Sequence, residues 1–406
     1  MKNKPLFSIF LIVFIDMLGF GLILPLLPYY AETFGASDTI IGLLVASYAA
    51  AQLIGAPILG RLSDRFGRRP VLLVSLLGTL LGFLLLGFAG TLFILFVARI
   101  LDGLTGGNIS VAQAYISDVT DAKNRAKGLG MIGAAFGLGF IIGPASGGLL
   151  SQWGYAVPAF VAAGLVAINL LMVAFWLPES LTPEKRSSAT EKRPAINLSA
   201  LLAALKRPIS GSLLITRFFF GLAFSIFQTI FSLYALRRFN LDATQTGFIL
   251  TYVGVLSVIV QGGLVGRLSQ RFRDDVLIFA SVGIMALSLL GWALTPSVTV
   301  LLIVLAPTAF AGGVLNTVLS SALTKAVEQQ EIGGILGLST SIESATRVIA
   351  PTLGGVLLER LGAWSPGAFS AALLAGLFIY VWVTIFNHPT LKVENNPAPV
   401  PVKIKN

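Results

Sequence analysis

No cysteine occurs in the 406 residues, so neither a disulfide framework nor a thiolate metal site can form. Histidine is almost as scarce: the single one, His388, lies near the end of the last apolar run, which leaves Ser/His/Asp triads and His-based zinc spacings without their key groups. No catalytic or metal-ligating set is assigned, no cofactor is expected, and the chain is not expected to be an enzyme. A phosphate-cradling glycine loop of the kind that marks an ATP-driven pump is also missing. Charge is scarce as well: 11% of residues are charged against 55% hydrophobic, far too little polar surface for a soluble chain of this length. Short alternating strands are absent, which argues against a membrane β-barrel.

What the chain has in abundance is apolar blocks of roughly twenty residues, enough to cross a hydrocarbon core of about 30 Å as helices. Spans are expected near 7–30, 39–59, 70–89, 92–115, 127–150 and 156–177, and again near 210–235, 244–265, 276–295, 298–322, 332–357 and 365–387. The first block is too long for a signal-peptide core and carries Asp16 in its middle, so it counts as helix one. The fold class expected is an all-α membrane protein of twelve transmembrane helices in two six-helix bundles. The bundles are placed at 1–180 and 209–390, with a polar connector at 181–208 and a tail at 391–406. Within the connector, Ala195 to Lys206 has the pattern of a short amphipathic helix, and an unstructured tether fits as well.

The net charge of +10 is explained by placement and not by nucleic acid. Arg61, Arg65, Arg68 and Arg69 share one short loop. Lys123, Arg125 and Lys127 share another, and Arg267, Arg271 and Arg273 a third, all on the side of the connector. Opposite loops hold Arg237, Arg238 and Arg360 beside Glu32, Asp38, Asp242 and Glu359. The positive-inside rule then puts both termini in the cytoplasm.

Two echoes reveal a duplication. Gly60-Arg-Leu-Ser-Asp-Arg-Phe66 returns as Gly266-Arg-Leu-Ser-Gln-Arg-Phe272, and Gly143-Pro144 with Gly147-Gly148 returns as Ala350-Pro351 with Gly354-Gly355, both slightly over two hundred residues later. Two recurrences in register with the spans point to duplicated bundles that could rock about a central site.

These residues resemble the major facilitator superfamily, and within it the drug/proton antiporters of bacterial efflux, over nearly the whole chain. Gly60 to Pro70 (GRLSDRFGRRP) looks like the family's cytoplasmic loop signature. Gly137 to Pro144 followed by Gly147-Gly148 is similar to its antiporter motif in span five. Asp16 to Pro25 and Arg99 to Gly106 match two further patterns. The resemblance implies a latch between the halves built on Gly60, Asp64, Arg65, Gly67, Arg68 and Arg69; a plain basic anchor is the alternative. In span five, Gly139, Gly143 and Gly147 at four-residue spacing let another helix approach closely, and Pro144 adds a bend.

Six ionisable residues fall inside spans, where each unpaired charge costs roughly 2.5–3.5 kcal/mol on insertion scales. Arg99 and Asp102 are three apart and Glu343 and Arg347 four apart, so each couple shares a helix face and can self-neutralise. Asp16 has no basic residue within a turn and is the first candidate proton carrier, with Arg99, Asp102, Glu343 and Arg347 as the remaining coupling candidates. Polar residues on mid-membrane faces, Asn108, Gln113, Arg217, Gln228, Gln261 and Asn316, together with Tyr48, Tyr234 and Tyr252, are candidates for a substrate cavity; interhelical hydrogen bonding explains each equally well. Span three (Gly78 to Phe83) and span nine (Val276 to Thr295) lack the acidic residues that tetracycline exporters carry there, and Gln228 and Asn316 stand where several multidrug exporters are acidic. A neutral, zwitterionic or anionic cargo fits Arg99, Arg217 and Arg347 better. The function expected is proton-coupled export of a small amphiphilic molecule by alternating access, in the inner membrane of a bacterium, with one copy as the working unit. A sugar or organic-acid symporter and a lipid or glycolipid flippase stay open as alternatives.

Overall fold

The computed structural model describes residues 4–181, 204–329 and 331–387, so the proposed amphipathic stretch at 195–203, His388 and the tail at 391–406 lie outside the described residues. The first half consists of α1 (Lys4–Ile23), α2 (Leu27–Glu32), α3 (Asp38–Phe66), α4 (Arg68–Gly87), α5 (Leu92–Thr105), α6 (Asn108–Val119), α7 (Ala122–Leu150) and α8 (Ala156–Trp176). The second consists of α9 (Pro208–Phe239), α10 (Ala243–Ile259), α11 (Val265–Arg271), α12 (Asp274–Leu294), α13 (Val298–Lys325), α14 (Ile332–Leu361) and α15 (Ser365–Val381). Among the described residues ten helices, counting α5–α6 and α10–α11 as continuous spans, are long and apolar enough to cross a membrane. A shorter apolar run, Phe7–Ile23, and α14 bring the spans to the expected twelve. α14 reaches 30 residues but carries Glu343, Arg347 and a string of Ser and Thr, which lowers its hydropathy without shortening it.

Local chemistry sets the turns. Gly67 separates α3 from α4 at φ 106°, a conformation that disfavours a side chain. Asn240 ends α9 in the left-handed region at φ 54°. Asp242 then opens α10 with a reciprocal cap: its side chain accepts from the Gln245 backbone N–H at 2.8 Å, while the Gln245 side chain accepts from the Asp242 backbone N–H at 3.1 Å. Span four is broken at Gly106-Gly107 into α5 and α6, where the sequence suggested one continuous helix. The basic signature is only partly a loop: Gly60 to Phe66 form the last two turns of α3, because the helix continues past the apolar boundary until Gly67 ends it. Between α10 and α11, Val260–Leu264 form a π-helical turn.

The duplication is visible in which helices touch. α1 packs on α7 and α8 as α9 packs on α14 and α15; α4 packs on α5 and α8 as α12 packs on α13 and α15; α3 packs on α5 as α10 packs on α13. The two bundles meet along two seams, α7 against α10 and α3 against α14. Both seams are tight towards the side away from the basic signatures, and the α7–α10 seam stays in contact as far as mid-span, where Gly254 faces the Phe140 carbonyl and Gly137 faces Val258. On the tight side Gly42 of α3 faces the Pro351 carbonyl and Gly247 of α10 faces the Pro144 carbonyl. Towards the opposite side, Gly60, Gly130, Gly133, Gly262, Gly263, Gly266, Gly333, Gly334 and Gly337 have open space where a Cβ would stand. The molecule is a cleft between two bundles, closed at one face and open at the face carrying the basic residues.

Candidate functional site

Half-way along α1, Asp16 is partly buried and accepts a hydrogen bond from Asn108 Nδ2 at 2.9 Å. Asn108 is the first residue of α6, so the break at Gly106-Gly107 aims it at α1. Gln52 reinforces that break by donating to the Gly106 carbonyl at 2.9 Å, and it also donates to the Tyr48 hydroxyl at 3.0 Å. One turn before the break, Arg99 and Asp102 pair at 2.9 Å, both almost fully buried, as their three-residue spacing led us to expect. Asp102 also takes a hydrogen bond from Thr79. The Arg99 guanidinium lies 4.3 Å from the Tyr48 ring centroid, a cation–π contact in a site shielded from water. Asp16, Tyr48, Gln52, Asp102 and Asn108 line one pocket together with Phe20. The Phe20 ring lies 5.6 Å from Tyr48 and 6.2 Å from Phe140, so an aromatic wall adjoins the charged groups. Gln52 and Thr79 were not singled out in the sequence, although Gln52, an amide inside an apolar run, carries the same signal as Gln113, Gln228 and Gln261; Thr79, small and uncharged, carries none.

In the second half the expected pairing of Glu343 with Arg347 does not form. Glu343 instead forms an ion pair with Arg217 of α9, which also donates to the Asn316 carbonyl at 3.2 Å. Burial decides this: the Arg217 side chain is 6% exposed and would be stranded without a carboxylate, whereas Arg347 is exposed. Gln113, Gln228, Gln261 and Asn316 are exposed as well, and Gln261 sits in the π-helical turn. Asn108 stands apart from them, buried and bound to Asp16.

The signature residues form a cage within the first half. Arg68 pairs with Asp64 at 2.6 Å and with Asp118 of α6 at 3.0 Å, and donates to Ser63 Oγ at 2.7 Å. The backbone N–H groups of Arg68 and Arg69 donate to the Glu179 carboxylate, which occupies the N-terminus of α4 where a negative charge is favoured. Arg69 also reaches the carbonyls of Val173 and Ala174 at the end of α8. Arg65 lies 5.2 Å from the centroid of its neighbour Phe66, and Gly60 faces open space. On α7, Gly139, Gly143 and Gly147 all press on the backbone of α1 between Met17 and Leu22, while Pro144 and Gly148 face α10. Two faces of one helix thus carry a packing seam inside the bundle and another between bundles. Pro144 stands inside α7 without interrupting it.

The closed face joins Arg237, Glu32, Asp38 and Glu359, which the sequence places on loops of that side, to Tyr29, Thr39 and Thr246 at the ends of spans. Arg237 reaches across to Glu32 at 2.5 Å and Asp38 at 2.8 Å. Tyr29 bonds Thr246 at 2.6 Å, and Glu359 accepts from the Thr39 backbone at 2.8 Å and from Ser37 Oγ at 2.9 Å. The available signal was opposite charge on loops of the same side in the two halves.

Known proteins share both sequence and architecture. The chain is 35% identical to the tetracycline resistance protein, class H, of Pasteurella multocida, covering 94% of this chain and 95% of that one. It is 30% identical to multidrug resistance protein 2 of Bacillus subtilis (strain 168), covering 88% and 90%. The solved structure of a nucleoside transporter, NupG, superposes with a TM-score of 0.79 at 15% identity, covering 94% of this chain and 100% of that one. The family model described as Major Facilitator Superfamily matches residues 9–306 and, overlapping them, 213–405. With twelve spans, a duplicated bundle and a cleft between the copies, this chain belongs to the Major Facilitator Superfamily.

Proposed function

We propose that the protein exports small amphiphilic organic molecules across the cytoplasmic membrane of a bacterium in exchange for protons. The observation that carries this is Asp16: a carboxylate at mid-span whose described hydrogen-bond partner is the neutral Asn108, beside an arginine already matched by Asp102. A carboxylate so placed is costly when charged and is suited to taking up and giving back one proton. Its position on the wall of the cleft gives it access to whichever side the cleft faces. With the basic loops in the cytoplasm, the cleft of this conformation opens inward and the ion pairs around Arg237 close the outer face. Both termini are then cytoplasmic. One copy encloses the whole cleft, so a single chain suffices for alternating access.

Export is supported by the relatives, which are named for resistance, and by the glycine face of α7. One inward proton at 100 mV supplies about 2.3 kcal/mol, enough for roughly fifty-fold concentration. Neither the symporter nor the flippase alternative gains an observation from the site. In proteoliposomes with an acidic lumen, Asp16→Asn is expected to abolish gradient-driven uptake of cargo while leaving membrane insertion and melting temperature unchanged. Undiminished gradient-driven flux through Asp16→Asn would refute the assignment.

A further inference from the structure

Of the six ionisable residues within the spans, four cancel in pairs: Arg99 with Asp102 in the first half, Arg217 with Glu343 in the second. Two stay unmatched, Asp16 on α1 and Arg347 on α14. Arg347 is exposed and pairs with no carboxylate among the described residues. Its direction follows from helix geometry. Glu343, Arg347, Pro351 and Gly355 fall four apart along one face of α14; Pro351 and Gly355 press on Gly42 and Asp38 of α3, so Arg347, one turn nearer the open side, faces the cleft. Tyr48 of α3 lies within electrostatic reach of both Arg347 and Asp16. The cleft thus presents one negative and one positive group on opposing bundles, with the Tyr48 and Phe20 rings beside the negative one.

Exchange for protons constrains what can bind. Cargo and proton must exclude each other at Asp16, which requires a positive or proton-donating end there. The Asn108 Oδ1 atom, buried and without a partner among the described residues, adds a second acceptor beside the carboxylate. An anion bound at Arg347 alone would favour the protonated Asp16 and so travel with the proton, giving cotransport. A simple cation would exchange but would leave Arg347 facing a like charge. Resting on the proton-exchange reading above, we infer that the preferred cargo is a zwitterion. Its cationic end seats against Asp16 and Asn108 and its anionic end against Arg347.

The test uses the purified full-length protein in acid-loaded proteoliposomes, with protein-free liposomes as baseline. Probes come in sets sharing one scaffold: rhodamine 110 as the zwitterion, its methyl ester rhodamine 123 as the cation and carboxyfluorescein as the anion; and norfloxacin with its methyl ester and its N-acetyl derivative. The wild type is expected to favour the zwitterion over its ester by roughly tenfold or more in kcat/KM, the worth of one charge-assisted hydrogen bond. Arg347→Gln is expected to bring that ratio within about twofold by slowing the zwitterion and not the ester, and Arg347→Lys to keep most of the preference. A wild type that carries the ester as well as the zwitterion, or an Arg347→Gln that slows every probe alike, would overturn the inference while leaving proton exchange intact. If no probe moves in response to the gradient, the exchange reading itself fails.

Discussion

In the proposed orientation the closed face is the outer one; its seams close by backbone contact, and one added methyl at each is enough to pry them open. A Cβ on Gly42 would run into the Pro351 carbonyl, and one on Gly247 into the Pro144 carbonyl; both neighbours are backbone atoms of inner helix turns and cannot swing aside. Overpacking of this kind costs roughly 1–3 kcal/mol. The strain exists only while the outer face is shut, so the cost appears as a shift of about 5- to 150-fold towards the outward-open state for each substitution. Because the chain lacks cysteine, single reporters can be introduced without a background. Ala243→Cys marks the outer seam, where Ala243 is 4% exposed and its carbonyl faces Gly148; Thr340→Cys marks the open side, where Thr340 is exposed. Labelling with a membrane-impermeant maleimide is expected to accelerate at 243 and slow at 340 in Gly42→Ala and Gly247→Ala. Gly55→Ala serves as the control, since its methyl would meet Leu104 within the same bundle; it is expected to lower the melting temperature without changing the ratio of the two rates. Equal labelling ratios in all three variants would show that the seams are not what distinguishes the states.

Removing Arg237 by Arg237→Ala frees Glu32 and Asp38; the pairs are partly exposed and worth about 0.2–1 kcal/mol each, so outer-face labelling is expected to rise about 2- to 30-fold, less so at high salt. Glu359 is held below the ordinary carboxylate range by hydrogen bonds from Thr39 and then Ser37, so its contribution to outer closure is complete above pH 4.5 and is lost as pH falls further, through its lowered value. Labelling at Ala243→Cys relative to that at Thr340→Cys, which cancels the loss of thiolate common to both, should therefore rise in acid, and Glu359→Gln should flatten that rise. Arg68→Ala leaves Asp64 and Asp118 without their shared cation in a buried cage, an expected loss of about 3–5 kcal/mol read as a fall in melting temperature; an unchanged melt would refute the cage as a stabilising element.

Span number, span order and duplication were legible because each depends on runs of like residues, and a run of twenty apolar side chains has few alternatives in lipid. The Arg99–Asp102 pair was legible for a related reason, since a three-residue separation fixes a shared face. By the same rule Glu343 and Arg347 were expected to pair, and there the rule met a competitor that no local spacing reveals: the buried Arg217 on a neighbouring helix. Asn108 was read as a loose cavity residue because the Gly106-Gly107 pair sits inside an apolar run long enough for one span; the pair marks a break, but local spacing does not say that the break turns Asn108 to Asp16. The outer contacts of Arg237, Tyr29 and Glu359 join residues some two hundred to three hundred and twenty positions apart, and only the docking of two bundles creates them.

The π-helical turn at Val260–Leu264 also bears on why the two copies of the basic signature have drifted apart. A single π turn adds about one residue to the helix, which rotates everything after it by roughly 100° about the axis. Arg267 and Arg271 therefore leave the span at a different azimuth from Arg61 and Arg65, although the two strings read almost alike. In the first half Asp64 meets Arg68 within a cage completed from α6; in the second, Asp274 meets Lys325 of α13 and Asp275 meets its neighbour Arg273. One repeated string thus ends in two unlike sets of ion pairs, the first tied to α6 and the second to α13, so the two halves are held differently at the same face.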